Sequence, residues 1–176
     1  MRVIGIDPGS RLTGYGVVER AGNKLIHIHS GTVKTVDDAP TFGDRLVIIF
    51  ETLRDVIAEH KPQTAALETL FHAKNVRSAI KLSHARGVAV LAVKMAGLPM
   101  GEYAPTLVKQ AVVGHGHAEK EQVQKMVSLL LGVPIKGPFD TSDALAVAIC
   151  HAHLGLTNRR WGAETRFDRW SGRIGR

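Results

Sequence analysis

Residues 4–18 read IGIDPGSRLTGYGVV, an apolar run that ends on one carboxylate, Asp7, and passes through Pro8-Gly9-Ser10 into a second apolar run. A strand followed by a tight turn accounts for the pattern. Asp favours the first position of a turn, Pro presets the second, and Gly relieves the strain after it. Working outward, Arg2 to Asp7, Thr13 to Arg20 and Lys24 to Val36 read as three strands, the last two joined at Ala21-Gly22-Asn23, a short hairpin signal. The sheet therefore starts antiparallel. Between Asp44 and His60, the residues Leu46, Ile49, Phe50, Leu53 and Ile57 recur at helical spacing, which predicts an amphipathic helix. Gln63 to Glu68 follows Pro62 as a fourth strand, and a link through a helix implies a parallel crossover onto the sheet.

Farther on, Val76 to Ala96 predicts a long helix rich in Ala, Gly and Ser, before a short fifth strand around Met100 to Ala104. Pro105 to Val113 and Glu119 to Leu131 read as helices split by Gly114-His115-Gly116-His117, and Asp140 to Leu154 as a last apolar helix. The expectation is an α/β fold: a five-stranded mixed sheet, antiparallel in its first three strands and parallel at the crossover to the fourth, flanked by helices.

A chain of 176 residues suits one domain and a tail. The expected division is a folded domain over 1–156 and a basic, mobile tail over 157–176. Six Arg against Glu164 and Asp168 place +4 of the formal +7 charge in that tail, so the body is only mildly basic. A nucleic-acid reading must then rest on motifs rather than on net charge. The lone Cys150 excludes an internal disulfide. With no signal-peptide pattern and no apolar run near 18 residues, a soluble, cytoplasmic protein without a membrane partner is expected.

Asp7 closes the first strand and Glu68 the fourth. If those strands are neighbours, the two carboxyl groups stand roughly 5 Å apart. Asp140 and Asp143 share one helix face at the start of the last helix, where acids also serve as caps and suit the helix dipole. Glu68 follows the interior-looking Thr64-Ala65-Ala66-Leu67, and a buried Glu is costly unless it is paired or bound to metal. Converging carboxylates repel, and a cation resolves the repulsion. An all-oxygen set without Cys suits Mg²⁺ or Mn²⁺ rather than zinc. Two such ions about 4 Å apart clamp the attacking and leaving oxygens of a phosphodiester.

GIDPGSRLTGYGVV, the Ala66-Leu67-Glu68 strand end with Phe71-His72-Ala73-Lys74-Asn75, VKQAVVGHGHAEK from Val108 to Lys120, and DTSDALAVAICH from Asp140 together resemble the bacterial RuvC-type Holliday-junction resolvases, collinearly from about Arg2 to His153. Four separate blocks in the right order are specific where a lone motif is not. The resemblance implies a ribonuclease-H-like fold and a homodimer that nicks two opposed strands of a four-way DNA junction. It also implies two Mg²⁺ per site, with Mn²⁺ able to substitute, ligatable 5′-phosphate and 3′-hydroxyl ends, and work beside a branch-migration motor in recombination and repair. The family's acidic quartet falls on Asp7, Glu68, Asp140 and Asp143, both as catalytic residues and as metal ligands. For the DNA, the resemblance points to Phe71 for base stacking and to Lys109 and Lys120 for phosphate. Arg77, with Lys81 one turn on, is a weaker phosphate candidate on what reads as a solvated helix face.

His115 and His117 lack clustered metal partners, so they read as helix-entry residues, and His151 and His153 read as packing in the last helix. Three rivals remain. An actin-like sugar kinase shares the opening turn, but it needs two domains, and this chain has room for one and no Walker A sequence. A non-catalytic junction-binding scaffold predicts loss of some of the four acids, all of which are present. A relative of the same fold acting on RNA is disfavoured by the Phe71 and Val108 to Lys120 blocks.

Overall fold

The computed structural model describes residues 1–35, 39–69 and 76–158, the last four as backbone alone. Strands β1 (Arg2–Asp7), β2 (Leu12–Ala21) and β3 (Lys24–Lys34) form an antiparallel meander. Helix α1 (Phe42–His60) leads to β4 (Thr64–Glu68), parallel to β1, and α2 (Val76–Met95) leads to β5 (Met100–Tyr103), parallel to β4. Helices α3 (Pro105–Val113), α4 (Lys120–Leu131) and α5 (Phe139–Asn158) complete the chain, and the sheet order is β3-β2-β1-β4-β5. This is the expected five-stranded mixed sheet.

The ends of elements differ from the sequence expectation for local reasons. β3 is described to Lys34, its expected end at Val36 lies outside the described residues, and the Thr35 hydroxyl donates to the carbonyls of Ser10 and Arg11, at 3.1 and 3.3 Å. α1 starts two residues before Asp44. Thr41 Oγ1 accepts from the Asp44 amide at 3.2 Å while Asp44 Oδ2 accepts from the Thr41 amide at 3.0 Å, a reciprocal cap that makes Asp44 the third helical residue. The β2–β3 hairpin closes on Gly22 at φ 61°, a conformation open to glycine at little cost. α5 continues past Leu154 to Asn158, across the boundary drawn at 156, and residues 159–176 of the expected tail lie outside the described residues.

Period-two alternation gives the sheet two unlike faces. Ile4, Ile6, Val17, Ala65 and Leu67 face α1 and α2 and pack with Ile49, Leu53 and Val93 in one core. The other face presents Val3, Val18 and Ala66 to α3, α4 and α5, where Leu145 and Ile149 are fully buried. Three glycines on that face let α5 come unusually close. A Cβ at Gly5 would strike the Ala144 carbonyl, at Gly14 the Asp140 carbonyl, and at Gly16 the Leu145 side chain. Gly5 pairs with Gly16 across the ladder, and Asp7 pairs with Gly14. The slot for α5 thus leads straight to the carboxylate end of β1.

Candidate active site

Asp7 shares a sheet face with Val3 and Gly5 by alternation, and so points toward the α3–α5 side. β1 and β4 run in parallel with Ile6 opposite Leu67, so Asp7 and Glu68 are the next residues on adjacent strands, and Glu68 likewise follows Ala66 onto that face. On the other flank Asp7 stands opposite Gly14, over which lies the backbone of Asp140 in the first turn of α5. Strand register and helix placement together gather acids from three elements.

The turn after Asp7 is braced from beneath. The fully buried Thr13 donates its hydroxyl to the Gly9 carbonyl at 2.7 Å and accepts from the Gly9 amide at 3.2 Å. Turn chemistry and charge are therefore both present in the opening stretch, the first holding the second in place.

Asp7, Glu68 and Asp143 line a cavity of about 160 Å³ together with Lys109 of α3 and Lys120 of α4, between apolar walls that include Val108, Val123 and Ala146. Burial pushes the Asp7 carboxyl up to about 8, and the negative charges of Asp143, Glu68 and Asp140 push the same way against Lys120. Burial also raises Glu68, with Asp143 adding to the effect and Lys120, Lys109 and Arg86 opposing it. Lys120 Nζ donates to Asp143 Oδ2 at 2.9 Å. Burial pulls that ammonium down, but the bond to Asp143 and the attraction of Asp143, Asp7 and Asp140 outweigh it and raise the Lys120 pKa. A carboxylate repelled by three others at this depth is a group that a cation would stabilise.

All the donors here are hard oxygens, which fits Mg²⁺ or Mn²⁺. Among the described residues no three such side chains already form a closed ligand set. A small hard cation would keep water or take up phosphate oxygens beside one or two carboxylates, as Mg²⁺ commonly does.

Asp140 acts electrostatically on Asp7 without lining the cavity itself. Lys109 and Lys120 face the acids across it, whereas Arg77 stands exposed in the first turn of α2 and Lys81 holds its ammonium 5.7 Å from the Phe42 ring centre, both away from the cavity. Phe71 lies outside the described residues. His115 and His117 are exposed in the α3–α4 turn. His151 is built into the packing, with Nδ1 2.7 Å from the Tyr103 hydroxyl and Nε2 3.0 Å from the Thr64 hydroxyl.

Sequence reasoning passed over Arg86, whose guanidinium reaches the main chain of Glu68. Its signal in the sequence was slight, an Arg between Ala85 and Gly87 in a helix rich in Ala, Gly and Ser.

Comparison with known proteins gives one consistent answer. Residues 3–151 match the family model described as crossover junction endodeoxyribonuclease RuvC. Proteins of that name from Geobacter metallireducens and Trichlorobacter lovleyi are 56% identical over 159 residues (90% of this chain, 96% of the relative) and 58% identical over 151 residues (86% and 84%). The Thermus thermophilus RuvC structure in complex with a Holliday junction substrate superposes with a TM-score of 0.83 at 36% identity, covering 90% of this chain and 96% of that one. The yeast mitochondrial Holliday junction resolvase Ydc2, 12% identical with a TM-score of 0.65, shares the fold.

Proposed function

The chain belongs to the RuvC family of crossover junction endodeoxyribonucleases, and on that footing we propose that it resolves four-way DNA junctions by hydrolysing one phosphodiester in each of two opposed strands. The observation that carries this reading is the meeting of Asp7, Glu68 and Asp143 with Lys109 and Lys120 in one cavity at the carboxylate end of the sheet. Asp7, Glu68, Asp140 and Asp143 would hold one or two divalent cations, Mg²⁺ with Mn²⁺ as a substitute. Cations bound there would supply Lewis acidity and neutralise charge developing on the phosphodiester oxygens.

The chain's own groups have separable roles. Asp7 is central, because it feels all three other acids. Lys120 holds Asp143 in place, and Lys109 stands by Glu68, each able to meet a phosphate oxygen. Cleavage that leaves a 5′ phosphate and a 3′ hydroxyl would yield ends a ligase can join. Phe71 would stack on an opened base and Arg77 would contact phosphate away from the cut. The working unit is the folded domain expected over 1–156, whose last helix runs on to Asn158, followed by a basic tail, and it acts in the cytoplasm beside a branch-migration motor. No helix of the described residues is long and apolar enough to cross a membrane.

Two symmetrical cuts call for two sites, and α2 offers a surface for pairing two copies. Val76, Ile80, Leu91 and Met95 are 76%, 52%, 52% and 70% exposed at a spacing that puts them on one stripe, with open space at Gly87 between them. A homodimer joined through this stripe predicts that Leu91→Glu yields monomers by sedimentation. A Leu91→Glu protein that stays dimeric would move the interface elsewhere.

The decisive experiment is cleavage of a synthetic four-way junction with a short mobile core, in Mg²⁺ and in EDTA, by the native protein and Asp7→Asn. Paired, ligatable nicks that need both metal and Asp7 are expected. Tight binding without cutting in Mg²⁺ or Mn²⁺ would leave a junction scaffold, and cutting by Asp7→Asn would return Asp7 to the role of a turn residue.

A further inference from the structure

Glu68 is the last residue of β4, and only one further residue, Thr69, is described before α2 begins at Val76. Strand ends fray unless something ties them down. Here the peptide unit between Glu68 and Thr69 is held from both sides. Its N–H, the amide of Thr69, donates to the Tyr103 carbonyl of β5 at 2.8 Å. Its carbonyl, that of Glu68, accepts from Arg86 Nη1 at 2.5 Å. The other arm of the same guanidinium, Nη2, meets Glu102 Oε1 at 2.6 Å.

Arg86 reaches this peptide from the α1/α2 side of the sheet, opposite the cavity. Its side chain is only 14% exposed and that of Glu102 26%, so the pair is largely withdrawn from screening water. A largely buried guanidinium needs a counter-charge, and Glu102, next to Tyr103 on β5, supplies it. The fork therefore ties together α2, β5 and the final peptide of β4.

We propose that the Arg86–Glu102 pair is a positioning element for Glu68, setting the direction of its carboxylate by fixing the peptide plane that follows it. Rotation of the Glu68–Thr69 plane would shift Glu68 Cα and swing its side chain relative to Asp7, and that rotation breaks the bond to Arg86. Lysine in place of Arg86 keeps the charge but has a single ammonium, which cannot present the planar fork that satisfies a carbonyl and a carboxylate at once. This inference rests on the metal-site reading of Glu68.

The test compares Arg86→Lys, Glu102→Gln, Arg86→Ala and the double variant Arg86→Ala/Glu102→Ala in the full chain. Four measurements are made: thermal stability without metal, the rise in Tm on adding Mn²⁺, junction binding in EDTA, and junction cleavage in Mg²⁺. Arg86→Lys and Glu102→Gln are expected to bind the junction as the native protein does while kcat falls about 10- to 100-fold with little change in KM. Their Mn²⁺-induced rise in Tm should shrink, since a displaced Glu68 weakens the site for the ion. Because the two residues act as a unit, the double variant should cut no more slowly than Arg86→Ala alone.

Native kcat and a native Mn²⁺ response in folded Arg86→Lys and Glu102→Gln would overturn the proposal. So would a loss of metal-free stability that accounts for the whole loss of rate while the Mn²⁺ response stays native. Failure of the native protein to cut junctions would refute the proposed function instead, and the Mn²⁺ response would still decide whether Arg86 positions Glu68.

Discussion

The two faces of the central sheet are made of different material for different ends. Toward α1 and α2 the strands present Ile4, Ile6, Val17 and Leu67, which interlock with Ile49 and Leu53, so that face is filled by side-chain volume. Toward α5 they present Gly5, Gly14 and Gly16, and the helix backbone itself lies where side chains would otherwise stand. Glycine in a strand sacrifices packing and chain entropy. What it gains here is position: Asp140 and Asp143 are carried to the strand end where Asp7 and Glu68 emerge. Both faces bury an apolar core, and the α5 face in addition holds four acids close enough to repel. The acid cluster is thus an outcome of backbone-to-backbone approach as much as of the four acids.

The largest effect expected from breaking this arrangement is at Asp7 itself. Asp7→Asn should lower the cleavage rate by about three to four orders of magnitude, since groups that act as a unit fail together. The same substitution should leave the metal-free fold as stable as before or more so. Burial and like charges raise the Asp7 pKa from 3.8 to about 8 in the folded chain, so across that interval the folded state binds more protons than the unfolded one. Stability contributed by this group is greatest at low pH and declines as pH rises toward 8. Metal-free denaturation at several pH values should show that decline in the native protein and a flatter profile in Asp7→Asn. A native profile that does not fall between pH 5 and 8 would place the Asp7 carboxyl in a more solvated or better compensated setting.

Next in size comes the glycine slot. Gly14→Ala directs a Cβ at the Asp140 carbonyl, and α5 must lift to admit it. The expected result is a strain of about 1–3 kcal/mol together with a fall in cleavage of about 100-fold, because the lifted helix takes its acids out of reach. Ile49→Ala on the opposite face is the matching control. Ile49 is fully buried, and its truncation should cost about 2–5 kcal/mol in urea denaturation. Cleavage per folded molecule should nonetheless stay native. Equal rates in the two variants at temperatures where both are folded would erase the distinction between the faces.

Much of this was legible in the sequence because its physics is local. The apolar run and turn around Asp7, the crossover implied by a helix between strands, and the i, i+3 spacing of Asp140 and Asp143 are each contained in a short window. The mixed sheet and the candidate acids followed from them, and the family resemblance pointed to the same four residues. Other features depend on contacts between distant segments. Gly14 and Gly16 read as ordinary strand residues until α5 is laid over them, and their role depends on a helix more than a hundred residues later. Arg86 read as one more residue of a small-residue helix, since the Glu68 carbonyl it meets is a main-chain group with no signature of its own. The apolar spacing points to Asp44 as the start of α1, whereas Asp44 is the third residue of the helix. The acid that completes a cap is easily mistaken for the cap itself.

That misreading supplies the smallest effect and the sharpest control. Thr41 and Asp44 close the first turn of α1, on the volume-filled side of the sheet, and neither lines the cavity. Thr41→Ala removes the hydroxyl that accepts from the Asp44 amide and leaves the helix otherwise intact. A loss of about 1 kcal/mol in stability is expected, with junction cleavage and the Mn²⁺ response both native. The cap lies far below the other effects in size, so it tests whether the two faces are energetically separate rather than merely unequal. If a 1 kcal/mol change confined to the end of α1 slowed cutting, stability on the α1 side would be feeding into the geometry of the acids. The path to examine would then be α1 to α2 and through the Arg86 fork to the main chain of Glu68.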